Sequence, residues 1–413
     1  MNILHTSDWH LGQTLYGKKR LEEFRLFLDW LKQLIIDEHI DVLLVSGDIF
    51  DSALPSNHAQ ALYYRFLCDV SSGPCRHIVL TAGNHDSPSF LDAPRALLNA
   101  LDVQVIGNPL TPEEEVLTLR DAEGEAQLLV CAVPFLRDRD LFRAVSGDTF
   151  EERDQQLAEG LKEHYRRCAD EVTRLRSLYG DIPSIAMGHL FAAGSTVAGD
   201  DGVRDLRIGS LGQVDASVFP SEFDYVALGH LHIPQIVAKQ ERIRYSGSPL
   251  PMGFGEADQQ KKVFIIGSQG RKLQTRGIDV PLFQKLEQIA GDWDHIVSRL
   301  EELSQQGEPV WVEVLYTGPT IISDLAERVQ AVVSGPVEIL RVRNALTFRP
   351  TLMPAEDMPA LEDMDVHDVF EQRLSSLIQK GDVCEKQVDE LRSTYAAAVR
   401  DLMQNNGDDE CAS

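Results

Sequence analysis

Five apolar runs in this chain each end in a short polar segment that carries aspartate, asparagine or histidine. The clearest is Ile78–Leu80, which predicts a buried strand and leads into Thr81-Ala-Gly-Asn-His-Asp86. Gly83 lets the backbone turn sharply there, because it has no Cβ. A single segment of this kind is equally well explained as a polar turn after a strand. Its recurrence constrains the fold, since the ends of several strands must then meet.

The other four segments follow the same design. Asp8 and His10 are two positions apart, and this spacing places both side chains on one face of an extended segment. The run before Asp48 is continuously apolar, which predicts a strand buried on both faces beneath covering helices. The last two runs end in histidines, at His189 and at His230 and His232. Sites form at the carboxyl ends of strands in α/β sheets, so we expect these groups to converge at a single sheet edge.

The acidic composition argues against a simple nucleic-acid binder. The 413 residues carry a net charge of −26, and residues 351–413 alone hold 15 acidic against 5 basic side chains. Nucleic-acid-binding domains are usually basic. Overall charge says little, however, about a site that carries its own cations, because bound cations dominate the local field.

The cysteines and the N-terminus predict a cytoplasmic protein with no membrane partner. We identify no signal peptide and no apolar run long enough to cross a bilayer. The cysteines contain no C-x-x-C pair, which predicts reduced thiols and argues against a cysteine zinc site. They are Cys68, Cys75, Cys131, Cys168, Cys384 and Cys411.

The patterns along the chain predict three regions: 1–275, 276–350 and 351–413. The first holds the five motifs, and helices are predicted at 21–39, from 55–57 onward, at 88–101 and at 151–178. The second has a β-α-β-α-β pattern, which predicts a small separate domain. The third begins with three prolines, a linker signal, and continues as two amphipathic helices broken at Lys380-Gly381. The first of these helices has Val366, Phe370, Leu374 and Leu377 on one face, and the second has Val388, Leu391, Tyr395, Val399 and Leu402.

The ligand-type groups form a mixed inventory of carboxylates, imidazoles and one carboxamide. That mixture suits divalent Mn, Fe, Zn or Co better than a metal that selects thiolates. Seven or eight groups are too many for one four-coordinate ion, so we infer two ions. Asp48 is alone on its strand and is the natural bridge, because a carboxylate has two oxygens to share. A pair of ions can activate a water and stabilise an in-line phosphoryl displacement.

The motifs D-x-H, G-D-x-x-D, G-N-H-D, G-H and G-H-x-H, in this order, resemble the calcineurin-like metallophosphoesterase superfamily and cover residues 1 to about 270. Further segments are similar to the bacterial nuclease subunits of DNA-repair complexes within it: Leu4–Gly12, Gly47–Asp51, Ala227–His232, Tyr245–Pro249 and Val366–Leu374. The resemblance implies an α/β fold (α+β in some schemes). This fold is a β-sandwich flanked by helices, with a small α/β capping domain and C-terminal helices.

The resemblance also implies roles for the site residues. One metal ion would take Asp8, His10, Asp48 and His232, and the other Asp48, Asn84, His189 and His230. His85 would be a general acid, held by Asp86, that protonates the leaving oxygen. Some relatives carry a second active-site histidine shortly after the bridging aspartate, whereas this chain has Ile49-Phe50-Asp51-Ser52. The implied ions are Mn²⁺, with Mg²⁺ as the alternative.

The implied activity is that of a DNA nuclease in repair, recombination and replication. It would cut double-strand ends as a 3′–5′ exonuclease and hairpins as an endonuclease. It would act as a homodimer within a heterotetramer, with its C-terminal helices docked on the coiled-coil base of an ATPase. The second domain would cap the site and hold the DNA backbone, for which Arg341 and Arg343 are weak basic candidates.

Two alternatives stand beside the nuclease hypothesis. One is a two-metal phosphatase or phosphodiesterase acting on a small molecule or protein, but protein phosphatases of this group carry G-D-x-x-D-R-G and G-N-H-E. This chain has Ser52 and Asp86 at the differing positions. The other is a non-catalytic scaffold with a relict site, which would not require the whole ligand set.

Residues outside the motifs are expected to be structural or merely exposed. For Trp9 we expect a core position rather than a base-stacking platform, and for the Tyr63–Leu67 patch a core position rather than a dimer face. Ala193–Val203, rich in glycine and aspartate, predicts a mobile loop over the site. The histidines in this structural group are His5, His39, His58, His77, His164, His295 and His367.

Overall fold

The computed structural model describes residues 1–141, 150–192 and 214–345, together with Leu374 and Tyr395, and gives only the backbone of residues 150–154. The chain divides into two compact units, Met1–Leu346 and Thr347–Ser413. The predicted loop at 193–203 and most of the two predicted tail helices lie outside the described residues. Leu374 and Tyr395 are both helical, and Leu374 is buried. The following description concerns the first unit.

Strands and helices alternate through much of this unit. The strands are β1 (Asn2–Thr6), β2 (Thr14–Leu15), β3 (Lys18–Lys19), β4 (Val42–Ser46), β5 (His77–Thr81), β6 (Val103–Ile106), β7 (Val116–Arg120), β8 (Ala126–Ala132), β9 (Ser184–His189), β10 (Tyr225–Gly229), β11 (Gln235–Val237), β12 (Gln240–Tyr245), β13 (Lys262–Gln269), β14 (Lys272–Asp279), β15 (Lys285–Gly291), β16 (Val310–Tyr316) and β17 (Val337–Asn344). The α-helices are α1 (Leu21–Asp37), α2 (Asn57–Ser71), α3 (Pro88–Asp92), α4 (Arg95–Asn99), α5 (Pro112–Glu115), α6 (Asp138–Leu141), α7 (Phe150–Tyr179), α8 (Trp293–Gln306) and α9 (Leu325–Val332).

Two six-stranded mixed sheets form the main body. The first has the order β14-β13-β1-β4-β5-β6, and its four strands from β1 to β6 run parallel. The second has the order β11-β12-β10-β9-β8-β7, with β12, β10, β9 and β8 parallel. The antiparallel strands are β13 and β14 on one side of the first sheet and the two edge strands of the second, β11 and β7. The predicted α/β sandwich is confirmed.

Alternating side chains divide each central strand between two cores. In β4, Val42 and Leu44 pack between the two sheets, whereas Leu43 and Val45 pack in the core that includes residues of α1 and α2. In β8, Val130 packs between the sheets, and its neighbours Leu129 and Cys131 join the core that includes residues of α7. Period-two alternation of this kind is what a strand buried on both faces requires. The result is four layers, with helices outside both sheets.

The helix predictions are largely confirmed. Ser56 caps α2 by accepting a hydrogen bond from the Ala59 amide, as the Pro-Ser-Asn start predicted. The predicted single helix at 88–101 is wrong, because the chain forms α3 and α4 with Pro94 at the N-cap of the second. Proline lacks an amide hydrogen and clashes with the preceding turn, so it separates the two helices.

A third sheet of three parallel strands, β15-β16-β17, carries its own core with α8 and α9. The antiparallel strand β14 extends to Asp279, past the position where the sequence pattern changes. The β2–β3 hairpin of the N-terminal region contacts this third sheet. Leu15 packs in one cluster with Phe254 and Leu286, and Lys18 Nζ lies 2.6 Å from Glu338 Oε1.

Several expectations for individual side chains are also settled. Trp9 is fully buried, packed edge-on against Phe27 and Phe66, so it belongs to the core. Tyr63 is buried as well, which removes it from a dimer face. Cys68, Cys75, Cys131 and Cys168 are free thiols. Among the described residues, no helix combines the length and the apolar character needed to cross a bilayer.

Candidate metal centre

The ends of five strands meet at one end of the interface between the two face-to-face sheets. β1, β4 and β5 come from the first sheet, and β9 and β10 come from the second. The expectation of a single sheet edge is therefore wrong: two packed sheets each contribute ligand-type groups to one site. The sequence predicted convergence, but it did not indicate that the runs divide between two sheets.

The turns after β1 and β4 hold their polar residues in left-handed backbone conformations. Asp8, His10 and Asp48 have φ values of 52°, 48° and 48°. The Asp8 amide donates to the carbonyl of Gly47 at 3.1 Å, and the His10 amide donates to that of Asp48 at 3.0 Å. The expected extended segment therefore stops at Thr6, and Asp8 and His10 lie on two interlocked turns. Aspartate and histidine tolerate this region better than most residues.

The first group of donor atoms comprises Asp8, His10, Asp48 and His232. Nε2 of His10 lies 3.2 Å from Nε2 of His232 and 3.7 Å from Oδ2 of Asp48. Asp8 belongs to the same cluster as His10 and His232, with donor atoms within 4.8 Å of one another. All four side chains are buried. Asp8 is further fixed because its carboxylate accepts the Ser7 hydroxyl and the His230 amide.

The second group comprises Asp48, Asn84, His189 and His230. Oδ1 of Asn84 lies 3.0 Å from both Nε2 of His189 and Nδ1 of His230. Oδ2 of Asp48 lies 3.2 Å from the same His189 nitrogen, so this oxygen borders both groups. Nδ1 of His189 donates to the Ser46 carbonyl at 3.0 Å. That bond fixes the tautomer and leaves the Nε2 lone pair facing the group.

These spacings fit metal coordination. Ligands held about 2.1 Å from one ion are separated by about 3.0 Å in octahedral and about 3.4 Å in tetrahedral geometry. The measured separations of 3.0, 3.2 and 3.7 Å fall around these values. Burial lowers the pKa of His230 to about 3 and that of His10 well below its usual value. Both imidazoles are therefore neutral and offer lone pairs.

Burial opposes ionisation of Asp48, yet the neighbouring His189 and His10 hold its pKa well below the usual value. Burial likewise opposes protonation of His189, but pairing with Asp48 raises its pKa to about 9. Without a bound cation, the negative charge of the Asp48 carboxylate is thus balanced by a proton on the His189 imidazole. A divalent ion would take the place of that proton, as metal binding to such sites releases protons.

His85 and Asp86 are both present at the centre, but they do not hold each other. The Asp86 carboxylate accepts hydrogen bonds from the backbone amides of Gly83, Ile49 and Phe50, at 2.9, 3.1 and 2.9 Å. His85 instead bonds through Nδ1 to the Asp51 carbonyl at 2.9 Å. The expectation that Asp86 holds His85 is therefore wrong. Its carboxylate faces the amides of two turns, which the sequence spacing could not indicate.

Gly83 has a steric role in this arrangement. A Cβ on Gly83 would collide with the Asp48 carboxylate and backbone nitrogen. The glycine therefore lets the turn after β5 approach the turn after β4. The His85 amide then donates to Oδ1 of Asp48 at 2.9 Å, leaving Oδ2 for the two groups.

Sequence reasoning missed two supporting residues. Glu256 is fully buried, and its Oε1 lies 3.4 Å from Nδ1 of His232. Lys261 pairs with the other Glu256 oxygen at 2.6 Å and donates to the His232 carbonyl at 3.0 Å. Such carboxylate partners orient metal-binding histidines. No motif marked Glu256, whereas Asp51 was visible in G-D-x-x-D; its carboxylate lies 3.7 Å from Nδ1 of His10.

The two arginines considered as DNA contacts are engaged within the protein. Arg341 Nη1 lies 3.2 Å from Oε1 of the buried Glu313 and donates to the Tyr16 hydroxyl at 2.8 Å. Arg343 Nε lies 3.1 Å from the same Glu313 oxygen. Glu313 partly neutralises their charge, which weakens the suggestion from the sequence that these arginines contact the DNA backbone.

Comparison with known families gives two matches. The model described as calcineurin-like phosphoesterase matches residues 1–234, which contain every candidate metal-binding and catalytic residue. The model described as type 5 capsule protein repressor C-terminal domain matches residues 282–376.

Individual relatives extend the similarity over most of the chain. The SbcD subunit of the SbcCD nuclease from Escherichia coli K12 is 35% identical over 381 residues, covering 91% of this chain and 93% of the relative. The protein of the same name from Rhodobacter capsulatus is 39% identical over 280 residues, covering 65% of this chain and 67% of the relative. That of Bacillus subtilis is 37% identical over 275 residues, covering 65% and 66%.

Proposed function

The chain belongs to the calcineurin-like phosphoesterases and, among them, to the SbcD family of nuclease subunits, and from this premise we propose how its centre hydrolyses DNA. It is a hydrolase that acts on phosphodiester bonds with divalent metal ions. The observation that carries the proposal is the position of Asp48 Oδ2, 3.7 Å from His10 Nε2 and 3.2 Å from His189 Nε2. One carboxylate oxygen thus borders two sets of donors.

We assign the two ions to the two groups of donor atoms. Asp8, His10, Asp48 and His232 would hold one ion, and Asp48, Asn84, His189 and His230 would hold the other. Bound there, a pair of divalent ions would supply water activation and neutralise charge on the scissile phosphate. We propose Mn²⁺ as the working metal, with Mg²⁺ as the alternative, because imidazole-rich sites favour the softer of these two cations.

His85 is the proposed general acid. Its Nδ1 donates to the Asp51 carbonyl, since a carbonyl oxygen only accepts, and this leaves Nε2 to exchange a proton. His85 lines the same cleft as His10, Asn84 and His232. It therefore borders both groups of donor atoms without being assigned as a ligand of either ion. A histidine in this position delivers a proton to the leaving 3′ or 5′ oxygen. Asp86 does not contact the reacting groups in this proposal. It positions the site by joining the turns after β4 and β5, whose backbone amides it binds.

The DNA substrates, the partner and the cellular role proposed next are inferred from family membership. We propose 3′–5′ exonuclease action on double-strand ends and endonuclease action on hairpins, in DNA repair, recombination and replication in the bacterial cytoplasm beside the nucleoid. The partner is the SbcC ATPase, bound through the C-terminal helices predicted within residues 351–413, and the working unit is a homodimer within a heterotetramer. DNA held by its backbone would approach the cleft beside Gln13 and Met252, which also line it.

The test is incubation of the purified full chain, with Mn²⁺, on a blunt duplex, a DNA hairpin and a generic phosphate ester. We expect cleavage of both DNA substrates and little turnover of the ester. The matched control is Asp48→Ala prepared in parallel, which exposes any contaminating nuclease. Turnover of the ester without DNA cleavage would favour the phosphatase alternative. Absence of all three activities with both ions bound would favour the relict scaffold.

A further inference from the structure

A second cluster of ligand-type side chains lies on the face of the second sheet that is covered by α7. His164 and Cys168 are one helical turn apart on α7, a spacing that places both on one face. Glu115 ends the short helix α5, and Cys131 lies on β8 with its side chain in the same core as Cys168. Three elements that are distant in sequence, α5, β8 and α7, therefore bring these four residues into one region.

The donor atoms of this cluster contact one another. Nε2 of His164 lies 2.6 Å from Oε2 of Glu115, and Sγ of Cys168 lies 3.6 Å from the same oxygen. The Cys131 side chain packs in the same buried core as Cys168. Glu115, His164 and Cys168 place one donor atom each within 4.8 Å of the others. Oε1 of Glu115 accepts the Leu110 amide at 2.9 Å, which fixes the carboxylate with Oε2 directed into the cluster.

The simplest alternative is a buried ion pair beside two ordinary apolar cysteines, since free cysteine packs as a small hydrophobe. That alternative explains the pairing of His164 with Glu115. It does not explain why the Cys168 thiol joins the same contacts, with Cys131 beside it in the core. Glu115, Cys131 and Cys168 are fully buried, and the His164 side chain is only 15% exposed, so the cluster is closed to solvent on nearly every side.

We propose that Glu115, Cys131, His164 and Cys168 form a structural zinc site separate from the catalytic centre. Structural zinc sites have four protein ligands and no open position. Glu115, His164 and Cys168 already bring three donor atoms together, and Cys131 is the fourth donor in the same core. Two thiolates, one imidazole and one carboxylate select Zn²⁺ over Mn²⁺, because sulfur ligands favour softer cations. The ion would tie α5 and α7 to β8 and so fasten the helical layer onto the second sheet.

The separations among Glu115, His164 and Cys168 can be compared with those of a zinc site. Zinc bonds of about 2.3 Å to sulfur and about 2.0–2.1 Å to nitrogen or oxygen imply donor separations of about 3.4–3.8 Å in a tetrahedron. The Cys168–Glu115 separation of 3.6 Å already fits, whereas the His164–Glu115 contact of 2.6 Å would open by about 0.8 Å. The neighbouring Cys131 thiol and His164 lower the pKa of Cys168, which favours the thiolate that zinc needs, whereas burial raises the pKa of Cys131, whose proton zinc would have to displace.

The scattered cysteines had argued against a zinc site built from cysteine, because the sequence holds no C-x-x-C pair. The fold removes that argument by placing β8 beside α7. His164 had been grouped with the structural histidines, which agrees with a structural metal but not with a purely packing role. The spacing of His164 and Cys168 in the predicted helix places them on one face, but no sequence pattern indicated that Glu115 and Cys131 lie beside them.

The test uses Co²⁺ as a spectroscopic substitute for zinc in the full chain after treatment with a chelator. Cobalt at the catalytic centre meets only nitrogen and oxygen donors, so a near-ultraviolet thiolate-to-cobalt charge-transfer band reports a cysteine site, and the cysteine variants assign it to this cluster. We expect the band in the unmodified protein and its loss on adding stoichiometric Zn²⁺. It should also be lost in Cys168→Ser and Cys131→Ser, but retained in Asp48→Ala and in the exposed-cysteine control Cys68→Ser.

Two results would overturn the proposal. One is a cobalt-loaded unmodified protein without any thiolate band, which needs no variant and so does not depend on how a mutant folds. The other is a band that survives in the Cys131→Ser, Cys168→Ser double variant or disappears in Asp48→Ala. Either outcome leaves the nuclease proposal intact, because the readout does not involve cleavage.

Discussion

Replacing Asp86 with asparagine distinguishes two roles for this carboxylate: joining two turns through their backbone amides, or orienting His85. The side chain is 2% exposed and accepts three backbone amides, from Gly83, Ile49 and Phe50. In Asp86→Asn the amide oxygen can keep the two bonds made by Oδ2, but the NH₂ group then faces the Phe50 amide, donor against donor. Losing one bond to a charged group costs about 1.5–3 kcal/mol. Neutralising the acceptor of the other two weakens each by about 0.5 kcal/mol.

The raised pKa of Asp86 offsets part of this loss, because a carboxylate with a pKa of about 6 in the folded protein is disfavoured there at higher pH, and the neutral amide relieves that cost. We therefore expect Asp86→Asn to lower the free energy of unfolding by about 1–2 kcal/mol. The measurement is urea unfolding of the metal-free protein followed by circular dichroism. Burial and the neighbouring Asp48 raise the pKa of Asp86 to about 6, so the experiment is run near pH 8, where the carboxylate is ionised. The control is Asp69→Asn, an exposed aspartate paired with Lys32, for which we expect less than about 1 kcal/mol.

The competing explanation makes Asp86 a partner that orients His85. It predicts unchanged metal-free stability and loss of cleavage even at saturating Mn²⁺. An Asp86→Asn protein within about 0.5 kcal/mol of the unmodified protein, yet inactive with both ions bound, would refute the assignment made from the three amide contacts. A destabilised protein that regains much of its cleavage at high Mn²⁺ would support it.

Four further expectations concern the metal centre and the tail. His85→Ala should keep both ions by elemental analysis but lose DNA cleavage, and loss of metal would contradict its role as an acid. Asp48→Ala should lose both ions, so one ion retained at full occupancy would contradict the shared carboxylate. Glu256→Gln should lower stability by about 3 kcal/mol, because it leaves Lys261 buried without its carboxylate; adding Lys261→Met should restore stability but not Mn²⁺ affinity. Truncation near Ala360 should abolish co-purification with the SbcC ATPase and spare Mn²⁺-dependent cutting, and an unchanged complex would reject docking by the tail.

Local patterns were sufficient for most of the fold. Period-two alternation and continuous apolar runs identified β4, β5, β8, β9 and β10, and the Ser56 cap located the start of α2. Patterns within one segment do not contain the partner of that segment, however. The sequence therefore did not divide the strands into two sheets or predict that the β2–β3 hairpin contacts the third sheet through Leu15 and Lys18.

The same limit applies to the site. Each candidate ligand sits directly after an apolar run, so the sequence indicated it, whereas its supporting partners come from elsewhere in the chain. Glu256 reaches His232 from a short helical turn without any motif. The Asp51 carbonyl that orients His85 belongs to the backbone, which no side-chain pattern reveals.

The backbone at the centre also explains why local propensity alone could not predict these turns. Asp8, His10, Asp48 and His230 all have positive φ, at a cost of about 1–2 kcal/mol each. Fully burying one valine, leucine or isoleucine contributes about 1.5–3 kcal/mol. Two to four side chains of the cores around the sheets therefore offset the strain of all four ligand positions. The turns are stable only when the two sheets are packed and their amides interlock, so the ligand geometry is a property of the folded sandwich rather than of the motifs. A short peptide carrying any one motif lacks this support and has no reason to adopt the left-handed conformation that directs its side chain at an ion.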